Sequence, residues 1–146
     1  MNRWSIRGFL LGVLVAGGSI VAAQAAKDVV VVDSATAQYK EVVAGVSKAA
    51  VWGDPVKGPY GAFTRFKPGV NNALHIHTND LRVLVLKGAY VFKPENGPEK
   101  RIGPGQYLFL PGGTRHVSGG DEKEGALFYE ESQGAFDLNI VKVAGY

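Results

Sequence analysis

The 146-residue chain has no cysteine, one methionine and only three histidines. Without cysteine there is no disulfide, no thiol nucleophile and no thiolate metal site, so stability must come from an apolar core and any metal ligand from nitrogen or oxygen. An excess of one charge is also missing. The 16 Lys and Arg residues face 13 Asp and Glu, and two of the basic residues, Arg3 and Arg7, sit at the extreme N-terminus. Beyond residue 25 the balance is 14 basic to 13 acidic residues, and no basic stripe with interleaved aromatics is visible. A nucleic-acid partner is therefore not expected. The glycine-rich segments contain no G-x-x-x-x-G-K-[ST] phosphate loop, and no Ser-His-Asp triad is expected, because all three histidines fall in a metal-ligand pattern.

Nor does an apolar run reach the ~20 residues of a membrane span. The nearest approach is residues 8–20, which are uncharged and follow Arg3 and Arg7. Ala23-Gln24-Ala25 then gives the small-x-small pattern of a signal-peptidase site. The expectation is a signal peptide over 1–25, cleaved after Ala25, and a single domain over 26–146. That places the protein in the periplasm or outside the cell, with no stable membrane span after cleavage. An Arg-Arg pair is absent, which favours Sec-type export.

Within 26–146 the pattern is one of short strands and turns. Residues 29–32 are a β-branched run read as a first strand, and 35–50 fit either a short helix or an irregular segment. Strands are then expected at 60–67, 73–77, 81–87, 89–93, 106–110, 115–118, 126–131 and 136–143, divided by Gly, Pro, Asn and Asp clusters. About nine short strands at 8–12-residue spacing argue an all-β sandwich or small barrel.

All three histidines fall in two of these regions. His75 and His77 are two apart, so on a strand they project from one face roughly 7 Å apart. His116 follows Pro111-Gly112-Gly113, a turn cluster able to bring a third imidazole from another strand. Three imidazoles so placed can converge on one ion at about 2.1 Å each. Imidazole suits Fe, Mn, Zn and Ni, which leaves the metal open.

These residues carry a resemblance to the cupin superfamily. Its first motif is matched by Gly69, His75, His77 and Gly88, and its second by Gly105, Pro111, Gly113 and His116. The resemblance implies a double-stranded β-helix, or jelly-roll barrel, with one divalent metal inside, and more narrowly a small exported single-domain bacterial cupin. Two positions depart from it. Leu81 stands where the motif has a Glu ligand, and Gly120 where it has Asn. In one reading His75, His77 and His116 hold the metal alone, with open positions for water, substrate or dioxygen. In the other a tighter turn brings Asp80 in as a fourth ligand; strand parity argues against it, because Asp80 and Leu81 face opposite ways. Cupin dioxygenases with all-histidine iron centres make Fe(II) the first expectation, with Mn(II), Zn(II) or Ni(II) as alternatives.

Two substrate-binding candidates lie outside the motifs. Arg65 would bind a substrate carboxylate if the odd residues of 61–67 face inward and is a solvated outer-face charge if they do not, and Tyr107 and Phe109 share a face that is either core or the lining of a pocket. The function expected is a metal-dependent, dioxygenase-type enzyme acting on a small oxygenated organic molecule. The alternative is a non-enzymatic module of the cell envelope that binds a small ligand or the metal itself. The residues identify no separate general base. By resemblance, a homodimer through an outer sheet face is implied.

Overall fold

The computed structural model describes residues 28–142. The expected signal peptide and its cleavage point lie outside the described residues. The chain divides into two units, Met1–Val30 and Val31–Tyr146. The described residues of the second form strands and turns without a helix.

Eleven strands run in chain order: β1 (Lys40–Val43), β2 (Val46–Gly53), β3 (Tyr60–Phe66), β4 (Asn71–Ile76), β5 (Leu81–Gly88), β6 (Tyr90–Pro94), β7 (Lys100–Ile102), β8 (Tyr107–Leu110), β9 (His116–Gly120), β10 (Ala126–Ser132) and β11 (Asn139–Ile140). They form two antiparallel sheets, a six-stranded one in the order β1-β2-β3-β10-β5-β8 and a five-stranded one in the order β11-β4-β9-β6-β7. Consecutive strands cross repeatedly between the sheets, as in a jelly roll.

Alternation decides the core. Along β5, Leu81, Val83 and Val85 are buried while Leu84 and Leu86 face out. Along β10, Phe128 and Glu130 point inward. Phe128 meets Phe66 edge-on at 5.0 Å and Tyr90 at 5.2 Å, so aromatic side chains from both sheets close the centre. Gly88 has a φ of 68°, and a Cβ there would overlap the Gly125 carbonyl, so only glycine allows the two chain segments to approach so closely.

Four sequence expectations are corrected. Residues 29–32 are not a strand: Val29, Val30 and Val31 are exposed, and β propensity without a pairing partner does not make a ladder. Residues 35–50 are neither helix nor irregular throughout, since β1 and β2 form a hairpin across the turn at Gly45. The buried Lys48 disguised that period by putting a charge on the core face. On β3 the inward set is Tyr60, Ala62, Thr64 and Phe66. Arg65 therefore lies on the outer face, where Nη2 donates to Ser34 O at 2.8 Å and the guanidinium stacks 3.7 Å from the Tyr39 ring. It fastens residues 34–39 to the sheet and does not reach the interior. Tyr107 is likewise outside the barrel, 60% exposed on edge strand β8, because Leu108 and Leu110 take the inward positions.

Candidate metal centre

The five-stranded sheet assembles the histidines. His75 lies on β4 directly opposite His116 on β9, after an irregularity in the ladder between Asn72 and His75. His77 follows β4 by one residue and shares the inward face with His75. The glycine turn before β9 is bound to the turn after β4. The Gly113 N–H donates to His77 O at 2.8 Å, and Gly113 has a φ of 78°, which suits glycine. A Cβ on Gly112 would overlap Thr78 O. Both cupin-like motifs thus meet through glycines that let two turns touch.

All three imidazoles are buried, and one nitrogen from each can be chosen so that all lie within 4.8 Å of one another. Backbone carbonyls fix the tautomers. The Nδ1 of His75 is 2.7 Å from Ala73 O, that of His77 is 2.5 Å from Asp137 O, and that of His116 is 2.9 Å from Thr114 O. A carbonyl only accepts, so each Nδ1 carries the proton and donates, leaving each Nε2 with a free lone pair. The Nε2 atoms of His75 and His116 are buried without any hydrogen-bond partner. Orphaned acceptors of this kind are costly, and an ion between them would satisfy them. Burial lowers the pKa of all three rings, His116 to about 4, which keeps them neutral and able to ligate. The residues present therefore fit one divalent cation.

Asp80 does not join this group. Its exposed carboxylate accepts from the Gly112 N–H at 2.9 Å, a contact between distant chain segments that ties the two turns together. Leu81 points inward, 4% exposed, and lines the same cavity as His75 and His77. Asp137 was not singled out by sequence reasoning. Its carboxylate accepts from the Thr78 N–H and hydroxyl, which fixes the segment whose carbonyl holds His77.

The opposite wall carries polar groups that sequence reasoning also missed. Lys48 on β2 is ion-paired with Glu130 on β10 and donates to Thr64 Oγ1 at 3.1 Å. The Tyr60 hydroxyl donates to Glu130 Oε1 at 2.6 Å. Burial lowers the Lys48 pKa against the opposing pull of Glu130, and burial beside the Glu130 charge raises that of Tyr60. The available signal was parity: Lys48 is in phase with Val46, and Glu130 with Phe128. The cavity between the walls is about 20 Å³ and is bordered by Phe136 and Leu138.

A family model described as a domain of unknown function, DUF4437, matches residues 23–144. The chain belongs to that family. Its fold is a cupin fold. The polyketide cyclase RemF from Streptomyces resistomycificus superposes with a TM-score of 0.65 at 16% identity, over 77% of this chain and 85% of that one. An RmlC-like cupin from Shewanella frigidimarina aligns with a TM-score of 0.56 at 16% identity, over 70% and 88% of the two chains. The DMSP lyase DddQ from Ruegeria pomeroyi gives 0.60 at 18% identity, over 77% and 64%. Identities this low establish the architecture only. No curated protein sequence matches the chain.

Proposed function

We propose that this cupin is a metal-dependent enzyme acting on a small oxygenated organic molecule, with one divalent ion held by His75, His77 and His116. The observation that carries the reading is the convergence of three imidazoles whose protons are committed to backbone carbonyls, two of them with unpartnered buried Nε2 atoms. Such an ion would act as a Lewis acid on a substrate oxygen; as Fe(II) it would also support dioxygen chemistry, and oxidative cleavage is the reaction the three-histidine set favours. Mn(II), Zn(II) and Ni(II) suit the same ligands. The chain's own residues shape the rest. The backbone fixes the rings, Leu81 removes the expected carboxylate, and Phe136 and Leu138 line the cavity beside His75 and His77.

That small cavity supports a second reading, a cell-envelope module that holds the metal or a small ligand without catalysis. Metal analysis of protein taken from its native compartment, followed by oxygen uptake with small diketones, phenols and keto acids, separates the two. Stoichiometric iron with oxygen consumption supports the enzyme. Stoichiometric metal with no turnover over the panel supports the metal-holding module, and no metal at all overturns the enzyme and leaves only the small-ligand module.

The working form is exported, with cleavage after Ala25, as the Arg3/Arg7 and Ala23-Gln24-Ala25 pattern supports. N-terminal sequencing that finds Ala26 first is the expected result; a retained Met1 in a membrane fraction would show an anchor. The exposed Leu84, Leu86, Tyr107 and Phe109 support a homodimer through the outer face of the six-stranded sheet, which sizing in solution checks.

A further inference from the structure

The buried ion pair opposite the histidines has no packing rationale. Lys48 and Glu130 are 4% and 2% exposed, inside a barrel whose core cluster is made of aliphatic and aromatic side chains. Taking two charges out of water costs several kcal/mol per ion, and apolar side chains of the same volume close such a core at least as well. A group kept at that cost and facing a candidate metal centre is a candidate for chemistry.

The arrangement around Glu130 is asymmetric. Lys48 Nζ and the Tyr60 hydroxyl both donate to Oε1. Among the described residues no donor reaches Oε2. Glu130, Lys48, His75 and His77 line one cavity, with Lys48 Nζ 4.2 Å from the Phe136 ring centroid and that ring 5.8 Å from His77. Strand register shows where this carboxylate stands relative to the one the cupin motif would supply. Leu81 pairs with Ser132, while Glu130 pairs with Val83, one inward position further along the barrel and one strand over. The carboxylate faces the histidines from the opposite sheet.

We propose that Glu130 is the catalytic base of this site, and that its substrates are small acids of the carbonyl type, ionised as they bind. The proposal rests on the three-histidine metal reading. A substrate placed between the walls turns its carbonyl oxygen toward the imidazoles and its acidic C–H, N–H or O–H toward Oε2. That bond breaks, an O–H bond forms on Glu130, and the electron pair left behind delocalises onto the carbonyl oxygen. Nothing is oxidised or reduced, and the proton stays in the site, available for return to the same or a neighbouring atom. Lys48 and Tyr60, by occupying Oε1, leave Oε2 as the accepting oxygen.

Acetohydroxamic acid is a suitable probe, because it is neutral near pH 7 and chelates a metal only after losing a proton. The Zn(II)-loaded protein is titrated with it calorimetrically in buffers of different ionisation enthalpy, which counts the protons released to solution. Zinc binding is measured separately for every variant. In the wild type the proton moves to Glu130, and none is released. Glu130→Gln leaves Lys48 buried without its counter-charge, so the pair is also removed together in Lys48→Met/Glu130→Gln, which preserves volume and apolar packing. That variant binds zinc as the wild type does and releases one proton per hydroxamate. A wild type that also releases one proton overturns the proposal. So does zinc-loaded protein that fails to bind the hydroxamate, which leaves the metal site standing. Failure to bind zinc removes the metal reading itself and this inference with it.

Discussion

The two inner walls of the barrel both bury polar side chains, but only on one of them do those side chains partner one another. On the six-stranded sheet, Lys48, Glu130, Tyr60 and Thr64 satisfy one another through an ion pair and two further hydrogen bonds. On the five-stranded sheet, each histidine is satisfied at Nδ1 by the backbone, and two are left with an unpaired Nε2. An unsatisfied buried acceptor costs about 1–3 kcal/mol. The contrast separates buried polar side chains held by one another from buried polar side chains held by the backbone alone.

The largest expected effect lies on the histidine wall. His75→Ala, His77→Ala and His116→Ala should each cut metal affinity by more than about 100-fold, since even the outer partners of metal ligands are worth 10–100-fold. Circular dichroism should still report a β-rich fold, because the ladder at these positions is backbone. Elemental analysis checks the claim, and wild-type stoichiometry in all three variants would place the metal elsewhere. The same wall sets a pH signature. The folded-state pKa of each histidine is lowered below the unfolded value near 6.5, His116 to about 4. Between those values the unfolded chain binds more protons than the folded one. Metal-free stability should thus be fully present above about pH 6.5 and fall as pH drops toward 4. Thermal melts of metal-free protein across that window test the sign; a midpoint that rises on acidification contradicts it.

The ion-paired wall should respond differently. Lys48→Met removes one partner and strands the Glu130 carboxylate, which should cost about 3–5 kcal/mol. Lys48→Met/Glu130→Gln removes both charges and should recover most of that loss. Urea unfolding of metal-free variants measures it. A single variant as stable as the wild type would mean that the pair contributes nothing to the metal-free fold.

How legible each wall was in the sequence follows from the same difference. The histidine wall could be read because its residues are rare and sit at fixed spacings between turn glycines, and each requirement is local: His75 and His77 by strand parity, Gly113 by its left-handed φ. The strands from β3 to β6 and from β8 to β10 were legible for similar reasons. Lys48 and Glu130 are 82 positions apart, and each alone reads as an ordinary surface charge. Only the pairing of β3 between β2 and β10 brings them together. The same long-range dependence hid the β1–β2 hairpin and turned Arg65 and Tyr107 outward, because a strand's period can be read before the face it buries.

The finest test concerns Leu81, a six-stranded-sheet residue that borders the cavity between the two walls. Leu81 belongs to the six-stranded sheet, shares its inward face with Val83 and Val85, and borders the cavity that His75 and His77 border. Leu81→Glu would carry a carboxylate to the histidine wall from the other side. Without metal, an unpaired acidic group in apolar surroundings should destabilise the fold by on the order of 3 kcal/mol. With metal, the charge is compensated, and zinc affinity should rise by roughly tenfold, equivalent to about 1.4 kcal/mol. The substituted protein would then be the less stable one when empty and the tighter binder when loaded. Asp80→Ala is the control. Asp80 spends its carboxylate on the Gly112 N–H at the surface, so losing it should loosen the turn pair by about 1 kcal/mol and leave zinc affinity within about twofold. Calorimetric zinc titration of the two variants side by side decides between them. Loss of metal in Asp80→Ala, with no gain in Leu81→Glu, would mean that the turn after β4 rearranges on loading and that the missing carboxylate is supplied by Asp80.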